Sequence, residues 1–356
     1  TAVIICLAGG ILITVFGILF SHNILALMNT KDELIDGAVL YLRIYLLGMP
    51  ALGLYNFGNA VLSAAGDTKR PLYYLAFAGV VNVILNLFFV IVCHLGVAGV
   101  ALASMISQFI SAFLILRALL TGKEKYCLRL SEIRFDKRKA AGILQIGIPS
   151  AFQYSLFAFA NLFVQSSVNS FDHVLVEGNS AAANADPLVY DMMAAFYTAC
   201  SSFIAQNFGA RKKKRILQTY LICLFYSFIT SLVLGVGIYL ARYPFLYLFT
   251  SDKAVVEAGI TRLSIMALSY SASAFMDASI AASRGLGKTA IPTFVVVMGS
   301  CVFRIIWIYT IFAYFHTIQS LYILYVFSWG ITAIAENIYF FHVYRHTLTG
   351  KTESHL

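Results

Sequence analysis

Charged residues are scarce in this chain. Asp, Glu, Lys and Arg make up 12% of its 356 residues, against about 25% in soluble domains. Hydrophobic residues make up 60%, and the mean hydropathy is +0.82. A soluble fold of this composition could not cover its surface with polar groups. The composition therefore excludes an ordinary soluble domain and predicts an integral membrane protein.

Clustered metal-binding and catalytic residues are also missing. The six cysteines include no CxxC pair and lie mostly inside apolar runs, so we expect small buried residues, not a zinc site or a disulfide framework. The seven histidines fall near loops or the ends of apolar runs, where no pair could hold a haem or metal within a bilayer. We therefore predict no cofactor, and we do not expect an enzyme.

Ten long apolar runs dominate the chain instead. Each is long enough for a membrane helix, which needs about 20 residues, and the breaks between them carry Gly, Pro, Asn, Asp and charges. Uninterrupted runs without alternation indicate helices, so the predicted class is an all-α polytopic membrane protein. The runs cover roughly 2–20, 38–65, 72–93, 97–119, 142–169, 187–208, 216–240, 256–283, 291–314 and 319–343.

The basic residues lie on one set of loops. Of 25 Lys and Arg, nineteen fall in alternate loops, which include 121–140, 207–215 and the C-terminus, and three fall in the opposite loops. The positive-inside rule makes the basic side cytoplasmic. The net charge of +9 is then explained by contact with anionic lipid rather than with nucleic acid.

A long internal repeat is visible in two turn segments, AAGDTKRP and RGLGKTAIP. Gly66 and Gly287 are 221 residues apart, and so are Pro71 and Pro292. Each run and its counterpart are six places apart in the order of runs. Because six is an even number, the two copies have the same orientation. A parallel repeat of this kind is typical of transporters with two similar halves. Further pairs at the same spacing are Leu27 and Leu248, Leu42 and Leu263, Ile44 and Ile265, Ile84 and Ile305, and Ser107 and Ser328.

The repeat predicts the domain organisation. An N-terminal lobe of four helices covers 1–120, a cytoplasmic linker covers 121–140, and a C-terminal lobe of six helices covers 141–345. A cytoplasmic tail covers 346–356. Since the second copy has six helices and the first only four, we expect about two further N-terminal helices, and twelve in the complete protein.

Several segments together resemble the MATE (multidrug and toxic compound extrusion) family. They are YLRIYLLGMPALGLYNFGNAVLSAAGDTKRPL, VNVILNLFFV, GVAGVALASMISQ, IGIPSAFQ, FIAQNFGARKKKR, SRGLGKTAIP and FRIIWIYTIF. The resemblance implies two helical bundles that face each other across a cleft. It also implies export of organic cations and other amphipathic compounds by alternating access, in exchange for H⁺ or Na⁺. The expected setting is a bacterial plasma membrane, and the expected state is a monomer.

Asp277 is the leading candidate for ion coupling, because a carboxylate within a membrane helix is costly and usually functional. It resembles the acidic position on the family's tenth helix, where it could bind H⁺ or Na⁺. Arg304 also lies within a run and needs a partner, for which Asp277 or Glu336 could serve. Asp186 precedes Pro187, which suits a helix N-cap; the family often has an acidic residue near this place, so an ion-site role stays open.

Amide side chains are further cavity candidates. Asn161, Gln165 and Asn169 recur at steps of four and form a polar stripe, which could also be interhelical hydrogen-bond glue. Gln153 is also a cavity candidate, although it lies further round the same helix and could face elsewhere.

In the first lobe, Asn82 and Asn86 share one helix face, and Asn56 is added as a cavity candidate. Some family members have an acidic residue where this chain has Asn86, so an ion site there is in doubt. Arg43 and Arg262 are expected to extend their charged ends toward the outer surface.

Two other functions are alternatives to drug export. A flippase for lipid-linked oligosaccharides or cell-wall precursors shares the two-lobed plan but usually has basic residues in its cavity, whereas the basic residues here lie mainly in loops. A membrane-embedded enzyme would need clustered His, Asp or Ser at catalytic spacing, and the runs contain none.

Overall fold

The computed structural model describes residues 1–27, 32–122 and 127–347. All regular elements in these ranges are helical, so the predicted all-α class is confirmed. The α-helices are α1 Ala2–Leu27, α2 Asp32–Leu46, α3 Met49–Ala64, α4 Lys69–Leu87, α5 Gly96–Thr121, α6 Lys137–Val168, α7 His173–Ala183, α8 Ala185–Gly209, α9 Lys213–Leu240, α10 Arg242–Tyr247, α11 Lys253–Gly285, α12 Ala290–Val296, α13 Phe303–Trp307, α14 Ala313–Phe315 and α15 Ile318–His346. Short π-helical segments cover Phe88–Val92, Val297–Val302 and Ile308–Phe312, and a 3₁₀ turn covers Leu130–Glu132.

Nine helical segments of the described residues are long and apolar enough to cross a membrane. A tenth span is obtained if Leu34–Leu46 and Met49–Ala64, which meet at 43°, are counted together. The sequence predicts one run over 38–65, but the helix breaks at Leu47 and Gly48. Pro50 stands in the first turn of α3, where its missing N–H costs no hydrogen bond and starts a new helix.

The sixth predicted run, 187–208, is part of a much longer segment, His173–Gly209. Asp172 caps the start of α7 by accepting a hydrogen bond from the backbone N–H of Leu175 at 2.8 Å. Periodicity did not indicate α7 because its sequence, HVLVEGNSAAA, mixes polar and small residues. Small residues favour close helix packing, and Gly178 lies so near the backbone of Val255 that a Cβ would collide with it.

The chain separates into two compact units, residues 1–143 and 144–356, here called unit 1 and unit 2. The predicted linker 121–140 includes residues 123–126, and the predicted tail 346–356 includes residues 348–356; both stretches lie outside the described residues. The division into lobes, linker and tail stays a prediction.

The two turns of the sequence repeat have the same backbone geometry. Gly66 has a φ of +90° and Gly287 a φ of +76°, a left-handed conformation that favours glycine. In the first turn the N–H of Asp67 donates to the carbonyl of Leu62 at 2.9 Å. In the second, the N–H of Lys288 donates to the carbonyl of Ser283 at 3.0 Å. Both helices therefore end in the same kind of glycine C-cap.

The repeat extends to the buried face of α5 and α15. Eight positions of α5 are buried, and each residue 221 positions later on α15 is buried as well. The pairs are Gly99 and Ser320, Ala101 and Tyr322, Ala103 and Leu324, Ser107 and Ser328, Ser111 and Thr332, Ala112 and Ala333, Ile115 and Glu336, and Leu119 and Phe340. The predicted pseudo-symmetry is therefore confirmed in the local structure and burial of each unit.

Helix α11 forms the centre of unit 2. It packs against α7, α8, α9 and α15, and its many Ala, Ser and Gly residues permit this close approach. Gly235 of α9, for example, lies directly against the backbone of Ala267. A polar side chain on a buried face of α11 is therefore surrounded by other helices of the same unit.

Candidate functional site

Asp277 lies in the last third of α11 and is only partly exposed. Among the described residues, nothing hydrogen-bonds to its carboxylate, and no Lys, Arg or His pairs with it within 4.0 Å. Arg284 lies two turns further along the same helix and is the cation that interacts electrostatically with this carboxylate. Both carboxylate oxygens are thus available to a proton, a metal cation or a charged substrate, and the predicted Na⁺ role of Asp277 stays a prediction.

Asp186 accepts two strong hydrogen bonds within unit 2. One Nη of Arg262 donates to it at 2.6 Å, and the hydroxyl of Tyr270 donates to its other oxygen at 2.5 Å. The second Nη of Arg262 donates to Asn179 at 2.6 Å. The N-cap of α8 is Asn184, so the expectation that Asp186 caps this helix is wrong. Its carboxylate joins α8 to α11 instead, and Asn179 joins α7 to the same arginine.

Arg262 does not extend toward the surface. Its side chain is 7% exposed, and its guanidinium lies over the ring of Tyr322. The expectation of an outward-pointing charge was wrong because Asp186 and Asn179 offer acceptors inside the unit. A buried cation requires such partners, because a charge left unpaired inside the protein is strongly destabilising.

Arg304 is the other buried cation of unit 2, with 2% exposure. Neither Asp277 nor Glu336 lies within 4.0 Å of it in the described structure, so both predicted ion pairs are wrong. Its Nη donates to Asn161 at 2.8 Å, and its Nε donates to Ser328 at 3.3 Å. Neutral acceptors and nearby aromatic rings replace a carboxylate.

Aromatic rings connect the surroundings of the two arginines. Tyr190 meets Tyr270 edge to face at 5.7 Å and Trp329 at 6.0 Å. Trp329 in turn contacts Tyr325 at 5.3 Å, and the Arg304 guanidinium lies 4.6 Å from the Tyr325 centroid. Such rings attract cations through their faces. Together they provide an apolar but cation-tolerant interior for this part of unit 2.

Gln153 is buried, with 4% exposure, and lies apart from the other amide candidates. Its side-chain oxygen accepts from Arg284 at 2.8 Å and from the hydroxyl of Thr293 at 3.3 Å. The residue joins α6, α11 and α12. It therefore contacts the same arginine whose charge reaches Asp277.

The predicted polar stripe of α6 is present but mostly exposed. Gln165 donates to Asn169 at 2.9 Å, and neither side chain contacts a buried charge. Asn161, the first member, is exposed as a residue, yet it accepts from Arg304. The stripe thus joins the buried core at Asn161 alone.

Unit 1 holds a smaller polar cluster. Asn86 donates to Asn82 at 3.0 Å, and Asn82 is 3.4 Å from the hydroxyl of Ser107 on α5. Asn56 is exposed on α3. The 221-residue spacing makes Asn56 the counterpart of Asp277, so unit 1 has an uncharged amide where unit 2 has the free carboxylate.

Three residues of the site were not predicted from the sequence. Asn179, Tyr270 and Arg284 carry no motif, and they find their partners only because α6, α7 and α8 pack against α11. Arg262 gave a usable signal, since it lies within an apolar run, nine residues after the start of α11. A charge in such a place predicts a buried partner.

A family model named MatE matches residues 1–88 and 149–310 of the chain, which is well over half of it. The chain belongs to the MatE family. Its predicted membership of the MATE transporters is therefore confirmed.

Relatives of this MatE chain include the Bacillus subtilis protein named "Probable multidrug resistance protein YpnP". It is 33% identical over 201 residues, which are 56% of this chain and 44% of the relative. The "FAD transporter" of Shewanella oneidensis is 23% identical over 252 residues, 69% of this chain and 55% of the relative. The chain spans about half the length of these curated relatives.

A solved structure of a MOP superfamily transporter from Pyrococcus furiosus superposes on this MatE chain with a TM-score of 0.90 at 21% identity. It covers 97% of this chain and 78% of that one. This likeness shows the fold, which is a multi-pass helical membrane fold.

Proposed function

We propose that the full-length protein is a secondary active antiporter that exports amphipathic organic cations in exchange for H⁺ or Na⁺. The observation that carries this proposal is Asp277, a carboxylate within a membrane helix with no protein partner among the described residues. Such a group is costly to keep in a bilayer unless it exchanges ions. A cation bound there in one conformation and released in another couples an ion gradient to export.

Family membership and the multidrug resistance name of a relative support a transporter over an enzyme. We propose that no cofactor takes part besides the coupling ion, and that the partners are a small-molecule substrate and the lipid bilayer. The loops rich in Lys and Arg are proposed to face the cytoplasm of a bacterial cell. We propose that the protein acts as a monomer, because one chain supplies all the candidate residues.

Anionic amphiphiles are the second candidate substrates. Arg304 has neutral hydrogen-bond partners in place of a carboxylate, and one relative is named an FAD transporter. Arg304 also matters for the alternative function, a flippase for lipid-linked oligosaccharides or cell-wall precursors, because such a protein needs accessible basic residues. Because Arg304 is 2% exposed, it favours cation export over either anionic substrate.

The test is transport by the full-length protein in proteoliposomes. A fluorescent organic cation and a fluorescent flavin are offered separately, with a pH gradient or a Na⁺ gradient imposed alone. We expect gradient-driven movement of the cation with one of the two ions. Movement of the flavin alone would favour the second candidate, and no gradient-driven movement of either would refute the antiporter.

Asp277→Asn should abolish gradient-driven export while the protein still folds, because an amide neither ionises nor carries a charge to bind a cation. Asp191→Asn is the matched control, since Asp191 is an exposed carboxylate of α8 and should leave export unchanged. Full export by the Asp277→Asn protein would remove this residue from the mechanism.

A further inference from the structure

Glu336 is a buried carboxyl group that the proposed export cycle does not use. It lies on α15 with 0% exposure, and neither of its carboxyl oxygens has a hydrogen-bond partner among the described residues. A charged carboxylate in such surroundings would lose its hydration without replacement, whereas the neutral acid loses far less. The surroundings of Glu336 therefore favour the protonated form.

The counterpart of Glu336 in unit 1 is Ile115, which is equally buried and belongs to an apolar cluster with Leu62. The counterpart of Leu62 is Ser283, whose buried hydroxyl also has no partner. Two apolar residues of one cluster in unit 1 thus correspond to a carboxyl and a hydroxyl in unit 2. Since unit 1 packs well without them, packing alone does not require these polar groups.

Ionisable side chains occur on several of the helices packed against α15, and on α15 itself. On α12 there are none. Around the middle and C-terminal half of α15 they are Asp277, Arg284, Cys301, Arg304, Tyr220 and Tyr339. Arg284 is the cation among the described residues whose charge reaches the Glu336 carboxyl.

Arg284 has an unused hydrogen-bond donor. One Nη donates to Gln153 at 2.8 Å, but its Nε is buried without an acceptor. Among the described residues, unit 2 therefore holds an arginine with one unused donor and a carboxyl group without any donor. A movement that joined them would satisfy both, at the expense of the Gln153 contact.

We propose that Glu336 is a second proton-binding site of unit 2, loaded in this conformation and emptied when Arg284 turns from Gln153 to Glu336. On release the O–H bond breaks, the proton passes to water, and the carboxylate pairs with the guanidinium. The site deepens the proposed antiport and rests on it for its role in transport. Proton binding itself can be measured without transport.

Infrared difference spectroscopy of the full-length protein in lipid nanodiscs tests the site directly. At neutral pH the wild type should show the carbonyl band of a protonated carboxylic acid in an apolar setting. Glu336→Gln should lose that band, whereas Glu257→Gln, at an exposed position on α11, should keep it. A band unchanged by Glu336→Gln would overturn the proposal.

Arg284→Gln provides a second test that does not depend on the folding of the Glu336 variant. Without the cation that stabilises the carboxylate, the acid band should persist to higher pH than in the wild type. If the titration of the band is the same with and without Arg284, the role given to this arginine is wrong.

Transport assays separate this inference from the proposed function. An acid band assigned to Glu336 together with absent export in the wild type would keep the site and refute the antiporter. Export that depends on Asp277, with no band assignable to Glu336, would keep the antiporter and refute the site.

Discussion

Unit 1 and unit 2 share their backbone plan and differ in what they bury. Among the described residues, the buried polar side chains of unit 1 are the serines Ser21, Ser107 and Ser111. Unit 2 buries Arg262, Arg304 and Glu336 besides its neutral polar groups. Both units nevertheless turn at a left-handed glycine and bury the same face of corresponding helices. The comparison teaches that the repeat preserved the scaffold while ionisable groups accumulated in one copy.

The largest effect is expected from exchanging one pair of counterparts. Ile115→Glu should destabilise unit 1 by roughly 3–6 kcal/mol, because it removes a buried apolar side chain and adds an unpaired polar group. Glu336→Leu should raise the unfolding midpoint of the detergent-purified protein instead. Equal losses of stability for both variants in thermal unfolding would show that Glu336 has partners the packing needs.

Arg262→Met should come next, with a loss of about 3 kcal/mol, because it leaves Asp186 without its cation in a largely buried place. Arg304→Met is the matched variant and should lose less, about 1–2 kcal/mol, since its partners are neutral. The unfolding midpoints of the two proteins give the comparison. A larger loss for Arg304→Met would contradict the pairing described for Arg262.

Gly66→Ala and Gly287→Ala should lose about 1–2 kcal/mol each, because a side chain disfavours left-handed backbone. No atom lies within 4 Å of the added Cβ at either site, so the two losses should be alike. Gly79→Ala, within α4 and equally free of neighbours, is the control and should not destabilise. Unequal losses would mean that the two turns are not equivalent.

Asp136→Ala should have the smallest effect. Asp136 precedes α6 and accepts from the backbone N–H groups of Arg138 and Lys139. These bonds, the one from Lys139 foremost, lower the pKa of its carboxyl. Its stabilising effect is therefore present at neutral pH and disappears as the pH falls through that lowered pKa. Wild type and variant should differ slightly in unfolding midpoint near neutrality and converge in acid.

Much of the fold followed from the sequence, but less of the site did. Asp277 was singled out because a carboxylate in an apolar run is conspicuous, and it has no protein partner among the residues that the structure describes. Asp186 was recognised as acidic but given the wrong partner, since its distance from Arg262 depends on the packing of α8 against α11. Gln153 and Glu336 show the same limit, because their neighbours come from other helices.

The sequence by itself determined the membrane class, the repeat and most of the spans, but neither the early start of the sixth span nor the break in the second. These features depend on hydrophobicity and on residue spacing, and both can be read directly along the chain. Only the tertiary structure decided that Arg262 is paired with Asp186 and that Arg304 has neutral partners. It also decided that Glu336 has no partner within the part of the chain that the structure describes. The reason is physical: a side chain's partners depend on the rotation and contact of whole helices, and a shift of one residue along a helix turns it by about 100°.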